Sequence, residues 1–92
     1  MLLALACAVL LQACAAEKGI ICGAESETIL FRGVTYQRMD SSGYSSSDRG
    51  MRLGTAEGNG IVMRLYAVKG DSDGQYLYAL WDWEGAFYCA QP

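Results

Sequence analysis

Residues 57–74 read EGNGIVMRLYAVKGDSDG, and this stretch decides the fold. Its centre, residues 61–68, is a run of β-forming and other apolar residues in which Arg64 is the single charge. Such a run is typical of a strand. Asn59-Gly60 on one side and residues 69–74 on the other are rich in the Gly, Asn and Asp that tight turns require. We therefore predict a central strand between two chain reversals, buried on both faces or at a junction between sheets.

Five further strand-like runs surround this one, at residues 28–32, 34–39, 51–56, 75–83 and 86–89. The dipeptides Arg32-Gly33 and Glu84-Gly85 each join two of these runs, and links of two residues force the neighbouring strands to be antiparallel. Residues 40–50, DSSGYSSSDRG, are predicted to form a surface loop. The sequence therefore predicts an all-β domain: a small antiparallel meander of about six short strands, which forms a closed barrel or a strongly twisted sheet.

An apolar segment precedes this domain. Residues 2–11 contain only Leu, Ala, Cys and Val, which is typical of a secretory signal and too short to span a bilayer, since spanning takes about 20 residues. Residues 11–14, LQAC, resemble a bacterial lipobox with Cys14 as the first mature residue. Ala13-Cys14-Ala15 also fits ordinary cleavage, which would give a freely secreted or periplasmic protein. We predict a lipoprotein-type signal peptide at 1–13 and a lipid anchor on Cys14 in the bacterial cell envelope.

The number of cysteines supports this interpretation. Of Cys7, Cys14, Cys22 and Cys89, the first leaves with the signal and the second carries the lipid, so that two thiols remain. In an oxidising compartment an even pair predicts a disulfide, here Cys22–Cys89. A bridge that closes so long a loop would stabilise the roughly 80 residues after the signal by about 4 kcal/mol. We expect residues 14–27 to form a tether and residues 28–90 to form a single β domain.

Charge and composition exclude several classes of function. The chain has 7 basic and 10 acidic residues, a net charge of −3 and no histidine. An acidic balance argues against nucleic acids and anionic membrane surfaces as partners. The lack of histidine excludes Ser-His-Asp and Cys-His nucleophile systems and most zinc sites. Asp71 and Asp73 flank a turn but lack the other ligands of a calcium loop. The sequence predicts no enzyme activity and no bound metal or cofactor.

Six of the ten aromatic residues lie near the carboxyl terminus, between Tyr76 and Tyr88. Because side chains alternate along a strand, these rings cannot all enter one core. We predict that one face of the last hairpin is an exposed aromatic surface for a protein or glycan ligand. Its candidate residues are Tyr76, Tyr78, Trp81, Trp83 and Tyr88. The alternative is that the rings fill the core of a small domain.

Several short motifs carry a resemblance to known proteins. They are ILFRGVTY at residues 29–36, RLGTA at 52–56, LYAVKG at 65–70 and GAFY at 85–88. In this order they are similar to a loose group of small, uncharacterised bacterial cell-surface lipoproteins, mostly Gram-positive, over about residues 28–88, which is nearly all of the mature domain. The resemblance implies an exported, anchored β domain, and it implies no activity.

These features together predict an exported cell-envelope lipoprotein that works as a small binding or interaction domain. Its partners would be the membrane, through the anchor on Cys14, and a protein or glycan on the aromatic hairpin. The alternative is a secreted, disulfide-locked inhibitor of a hydrolase, which would block its target with the loop at residues 40–50.

Overall fold

The computed structural model describes residues 17–92. The strands are β1 (Glu17–Cys22), β2 (Thr28–Phe31), β3 (Val34–Arg38), β4 (Arg49–Gly58), β5 (Ile61–Val68), β6 (Tyr76–Trp81) and β7 (Glu84–Ala90). A short 3-10 helix, Ser46–Asp48, precedes β4. No helix within residues 17–92 is long and apolar enough to cross a membrane. The predicted signal peptide and the predicted lipid anchor on Cys14 lie outside the described residues.

The strands close into a barrel in the order β1-β2-β3-β7-β6-β5-β4. Every neighbouring pair is antiparallel except β1 and β4, which are parallel. A closed ring with an odd number of strands cannot alternate in direction all the way round, so one parallel pair is required. The predicted all-β class is confirmed, and of the two predicted forms the structure has the closed barrel. Seven strands in two meanders, β1–β3 and β4–β7, replace the single meander of about six.

The segment expected to be a tether contains the strand that closes the barrel. β1 pairs with β2 on one side, and on the other side Glu17 pairs with Gly54 of β4. Glycines permit this close approach: a Cβ on Gly54 would contact the carbonyl oxygen of Glu17, and one on Gly58 would contact that of Ile21. The expected boundary at residue 28 is therefore too late, because the barrel already includes Glu17–Cys22.

Strand direction defines two ends of the barrel. At the entry end, β1 and β4 begin and the chain turns at Arg32-Gly33 and at residues 69–75. At the far end lie the turns at residues 23–27, at Asn59-Gly60 and at residues 82–83. The predicted loop at residues 40–50 runs between the two ends, because β3 finishes at the far end and β4 starts at the entry end.

The interior is filled by side chains that face inward from all seven strands. The buried cluster consists of Ile21, Ile29, Phe31, Tyr36, Ala56, Met63, Leu65, Leu77, Ala79 and Tyr88. In β5, Met63 and Leu65 are fully buried whereas Val62 and Arg64 are exposed. The central strand is therefore buried mainly on its inner face, not on both faces as expected.

The predicted Cys22–Cys89 disulfide is wrong, because both thiols are free in the described structure. The strand register explains why. Cys22 pairs with Thr28, Thr28 with Gln37 and Gln37 with Cys89, so the two cysteines occupy the ends of one row across four strands. Three interstrand spacings of about 4.8 Å separate them, whereas a disulfide tolerates a Cα separation of at most about 7 Å.

Candidate functional site

The β6–β7 hairpin carries four of the five candidate binding residues as strand residues and the fifth, Trp83, at its tip. Trp81 pairs with Glu84, so the turn residues are Asp82 and Trp83. Asp82 adopts a φ of 51°, a left-handed conformation that Asp tolerates better than most residues. The expected turn at Glu84-Gly85 is thus displaced by two residues. This displacement moves Trp83 from a strand onto the tip of the hairpin.

Trp83 is the most exposed of the large apolar side chains at the far end, with 89% of its surface accessible. The other candidate residues are placed differently. Tyr88 is fully buried, and its hydroxyl donates a hydrogen bond of 2.8 Å to the Ser26 carbonyl oxygen. Trp81 packs partly against the core, and Tyr78 is 7% exposed. The five predicted residues therefore do not form one surface.

The outward-facing aromatic rings of β5, β6 and β7 form a packed cluster on the barrel wall. The ring of Tyr78 lies 4.8 Å from that of Phe87 and 6.4 Å from that of Tyr66. Tyr44, from the segment between β3 and β4, lies 5.2 Å from Tyr76 and 6.0 Å from Phe87. This segment covers much of the cluster, so the cluster serves packing more than ligand binding.

Three members of this cluster, Tyr44, Tyr66 and Phe87, are absent from the sequence-based candidates. Tyr66 pairs directly with Tyr78 across β5 and β6, and the Arg49 guanidinium lies 5.0 Å from the Tyr66 ring centre. Only cross-strand register brings these residues together, and register is not visible in the local alternation of one strand. Tyr44 could have been identified from the sequence as a packing residue, because it is the single bulky residue in a serine-rich loop.

The outer edge of β7 is open near the hairpin tip. β3 pairs with β7 only between Tyr88 and Ala90, and the Met39 N–H donates one further bond of 2.9 Å to the Phe87 carbonyl oxygen. Within residues 17–92, no strand pairs with residues 84–86 on this side. An unpaired strand edge offers backbone donors and acceptors to an added strand.

The far end of the barrel is strongly acidic. Its charged side chains are Glu25, Glu27, Asp40, Glu57, Asp82 and Glu84, opposed by Arg38. Hydrogen bonds from the backbone N–H groups of Glu27 and Glu25 lower the pKa of the Glu27 carboxyl group, which keeps it ionised. Trp83 is therefore an apolar ring in a negatively charged surrounding.

In the turn that contains Asp71 and Asp73, the carboxylate of Asp71 has a structural role. The Asp71 carboxylate accepts hydrogen bonds from the backbone N–H groups of Gln75, at 3.1 Å, and Tyr76, at 2.8 Å. These bonds fix the start of β6. Across residues 17–92, no three His, Cys, Asp or Glu side chains are grouped so that they could hold a metal ion.

Comparison of the chain with models of known protein families, with curated proteins and with solved structures finds no match.

Proposed function

We propose that this protein is an exported, lipid-anchored domain of the bacterial cell envelope that binds a protein partner at the tip of its β6–β7 hairpin. The observation that carries the binding proposal is Trp83, which is 89% exposed on a turn. Because this ring contributes almost no burial to the fold, a partner that covers it gains most of the burial energy. Trp is also among the residues most enriched at binding hot spots. Export and anchoring rest on the apolar segment 2–11 and on LQAC at 11–14.

The surroundings of Trp83 indicate the chemistry of the partner. The open edge at residues 84–86 suits an extended peptide segment that adds as a strand. Asp82 and Glu84 flank Trp83 and are exposed, so they favour a partner with basic side chains near its apolar contact. A glycan has no peptide backbone that could pair with this strand edge. These features favour a protein partner over a glycan.

Site-specific crosslinking tests this proposal. A photoreactive phenylalanine analogue at position 83, in the anchored protein in its own envelope, should crosslink to a protein of one defined mass. The same analogue at position 62 is the control, because Val62 is also an exposed apolar residue, at 57%. Equal crosslinking from both positions would contradict the proposal.

The Trp83→Ala variant provides the matching loss of function. We expect it to remain folded, with a free energy of unfolding within about 0.5 kcal/mol of the wild type, as for other surface substitutions. The partner should no longer copurify, whereas Val62→Ala should retain it. A loss of about 3–5 kcal/mol, typical of a truncated core Trp, would show that Trp83 is structural.

The alternative of a disulfide-locked inhibitor has less support. Its candidate loop, residues 40–50, packs Tyr44 against Tyr76 and Phe87, so its one bulky side chain is not free to enter a target. Its locking bridge is also missing, since Cys22 and Cys89 are too far apart. The hairpin tip is the better-placed contact element.

A further inference from the structure

We propose that the entry end of the barrel rests on the anionic lipid headgroups of the membrane that holds the Cys14 anchor, so that Trp83 points away from the lipid. This inference rests on the proposed lipid anchor and adds the orientation of the domain and a second contact surface.

The first argument is the length of chain between the anchor and the barrel. Cys14 lies three residues before Glu17, the first residue of β1. An extended chain spans at most about 3.6 Å per residue, so the anchor lies within about 11 Å of the barrel. A tether this short holds the entry end at the membrane surface.

The parallel pairing of β1 with β4 places Met51 at the same end of the barrel as the start of β1. Glu17 pairs with Gly54, and Met51 lies three residues before Gly54. Since the two strands run in the same direction, Met51 lies beyond Glu17 at the entry end, where the short link to Cys14 joins the barrel. Met51 is 76% exposed and lies within the irregular part of the pairing of β4 with β5. An exposed thioether at this end would enter the headgroup region.

The charge distribution fits the same orientation. Five of the seven basic residues lie at or near the entry end and are exposed, and they are Lys18, Arg32, Arg49, Arg52 and Lys69. The acidic side chains there are Glu17, Asp48, Asp71 and Asp73. The carboxylate of Glu17 forms an ion pair with Arg32 at 2.6 Å. The carboxylate of Asp48 accepts a hydrogen bond of 2.9 Å from the Ser45 N–H, and that of Asp71 accepts hydrogen bonds from backbone N–H groups.

The far end, with six acidic residues against Arg38, would be repelled by an anionic surface. The net charge of −3, which argued against anionic membranes, is therefore divided unevenly. Five basic and four acidic residues give the entry end a charge of +1, and six acidic residues with Arg38 give the far end a charge of −5. The entry end, here called the basic end, is the one to which the short tether leads.

Hydroxyl-radical footprinting of the wild-type protein tests this orientation. The lipidated protein on phosphatidylglycerol vesicles is compared with the unanchored Cys14→Ser variant in buffer, and the modification of Met51 and Trp83 is measured by peptide mass analysis. We expect modification of Met51 to fall at least fivefold on the vesicles and that of Trp83 to stay unchanged. Protection of Trp83, or no protection of Met51, would overturn the proposed orientation.

Two controls separate the possible failures. The intact mass of the protein from its own membrane shows whether Cys14 carries acyl chains; if it carries none, the anchor is wrong and the orientation falls with it. If the acyl chains are present, the footprint alone decides the orientation.

Charge reversal tests the role of the basic end. Arg52→Glu should reduce the protection of Met51, whereas Arg64→Glu should not, because Arg64 is an exposed basic residue in the middle of β5. Equal effects of the two substitutions would overturn the role of the basic end.

Discussion

Tyr88 connects the barrel core to the turn at residues 23–27. It is fully buried, and its hydroxyl donates to the carbonyl oxygen of Ser26, 62 residues away along the chain. Tyr88→Phe removes this donor and leaves a buried carbonyl short of a partner. We expect the free energy of unfolding to fall by about 1–2 kcal/mol in urea titrations. Tyr76→Phe, in which the ring is half-buried, is the control and should change it by less than about 0.5 kcal/mol.

The same variant should alter the pH dependence of stability. Burial raises the pKa of Tyr88, which nearby Arg38 partly opposes, and burial also raises the pKa of Tyr36. A pKa above its unfolded value gives stability that is present below about pH 10. That stability is lost as the pH rises through the folded pKa. The unfolding free energy should therefore fall above about pH 10, and less steeply in Tyr88→Phe; identical slopes would contradict this role of Tyr88.

The sequence predicts that the side chains of the hairpin alternate between its two faces, but it does not predict which face lies inside the barrel. Leu77, Ala79 and Trp81 share the inner face while Tyr76 and Tyr78 share the outer one, as period-two alternation requires. The candidate surface combined residues from both faces, and Tyr88 belongs to the inner one. Only the closure of the barrel decides which face is buried.

The element that sequence reasoning missed is β1. It is short, begins next to the apolar segment, and forms its parallel pair with a strand more than thirty residues away. No turn signal joins β1 to β4, because the two strands are not consecutive. Gly85 was predicted to be a turn residue, which is the commonest role of glycine. It lies instead in β7, where a Cβ would contact the Tyr78 hydroxyl.

Gly58→Ala tests whether β1 is held by close backbone approach to β4. The added methyl group would contact the Ile21 carbonyl oxygen, and overpacking of this kind costs about 1–3 kcal/mol. We expect a lower thermal midpoint by circular dichroism. Glu57→Ala, the adjacent exposed position on the same strand, should change stability by less than about 0.5 kcal/mol. A fully tolerated Gly58→Ala would contradict the β1–β4 pairing.

At the scale of the whole molecule, composition and turn spacing were sufficient for the fold class, and they left a closed barrel and a strongly twisted sheet as alternatives. They were not sufficient for the order of the strands around the barrel. The path of the chain from β3 to β4 depends on which strand edges remain unpaired after the two meanders have formed. The disulfide was predicted because two thiols remain after the signal in an oxidising compartment. The described chain instead closes into a barrel through seven strand pairings.

Closure without a disulfide makes stability independent of redox state. Cys22 and Cys89 lie at the two ends of a row that includes Thr28 and Gln37, so no rotation of their side chains can join them. Adding a phosphine reductant should leave the thermal midpoint unchanged. Cys22→Ser with Cys89→Ser should cost less than about 1 kcal/mol, because neither thiol lies in the buried cluster. In the native protein, a maleimide should label exposed Cys22 faster than half-buried Cys89. A midpoint that drops on reduction would mean that a covalent bridge exists, and the register from β1 to β7 would then be wrong.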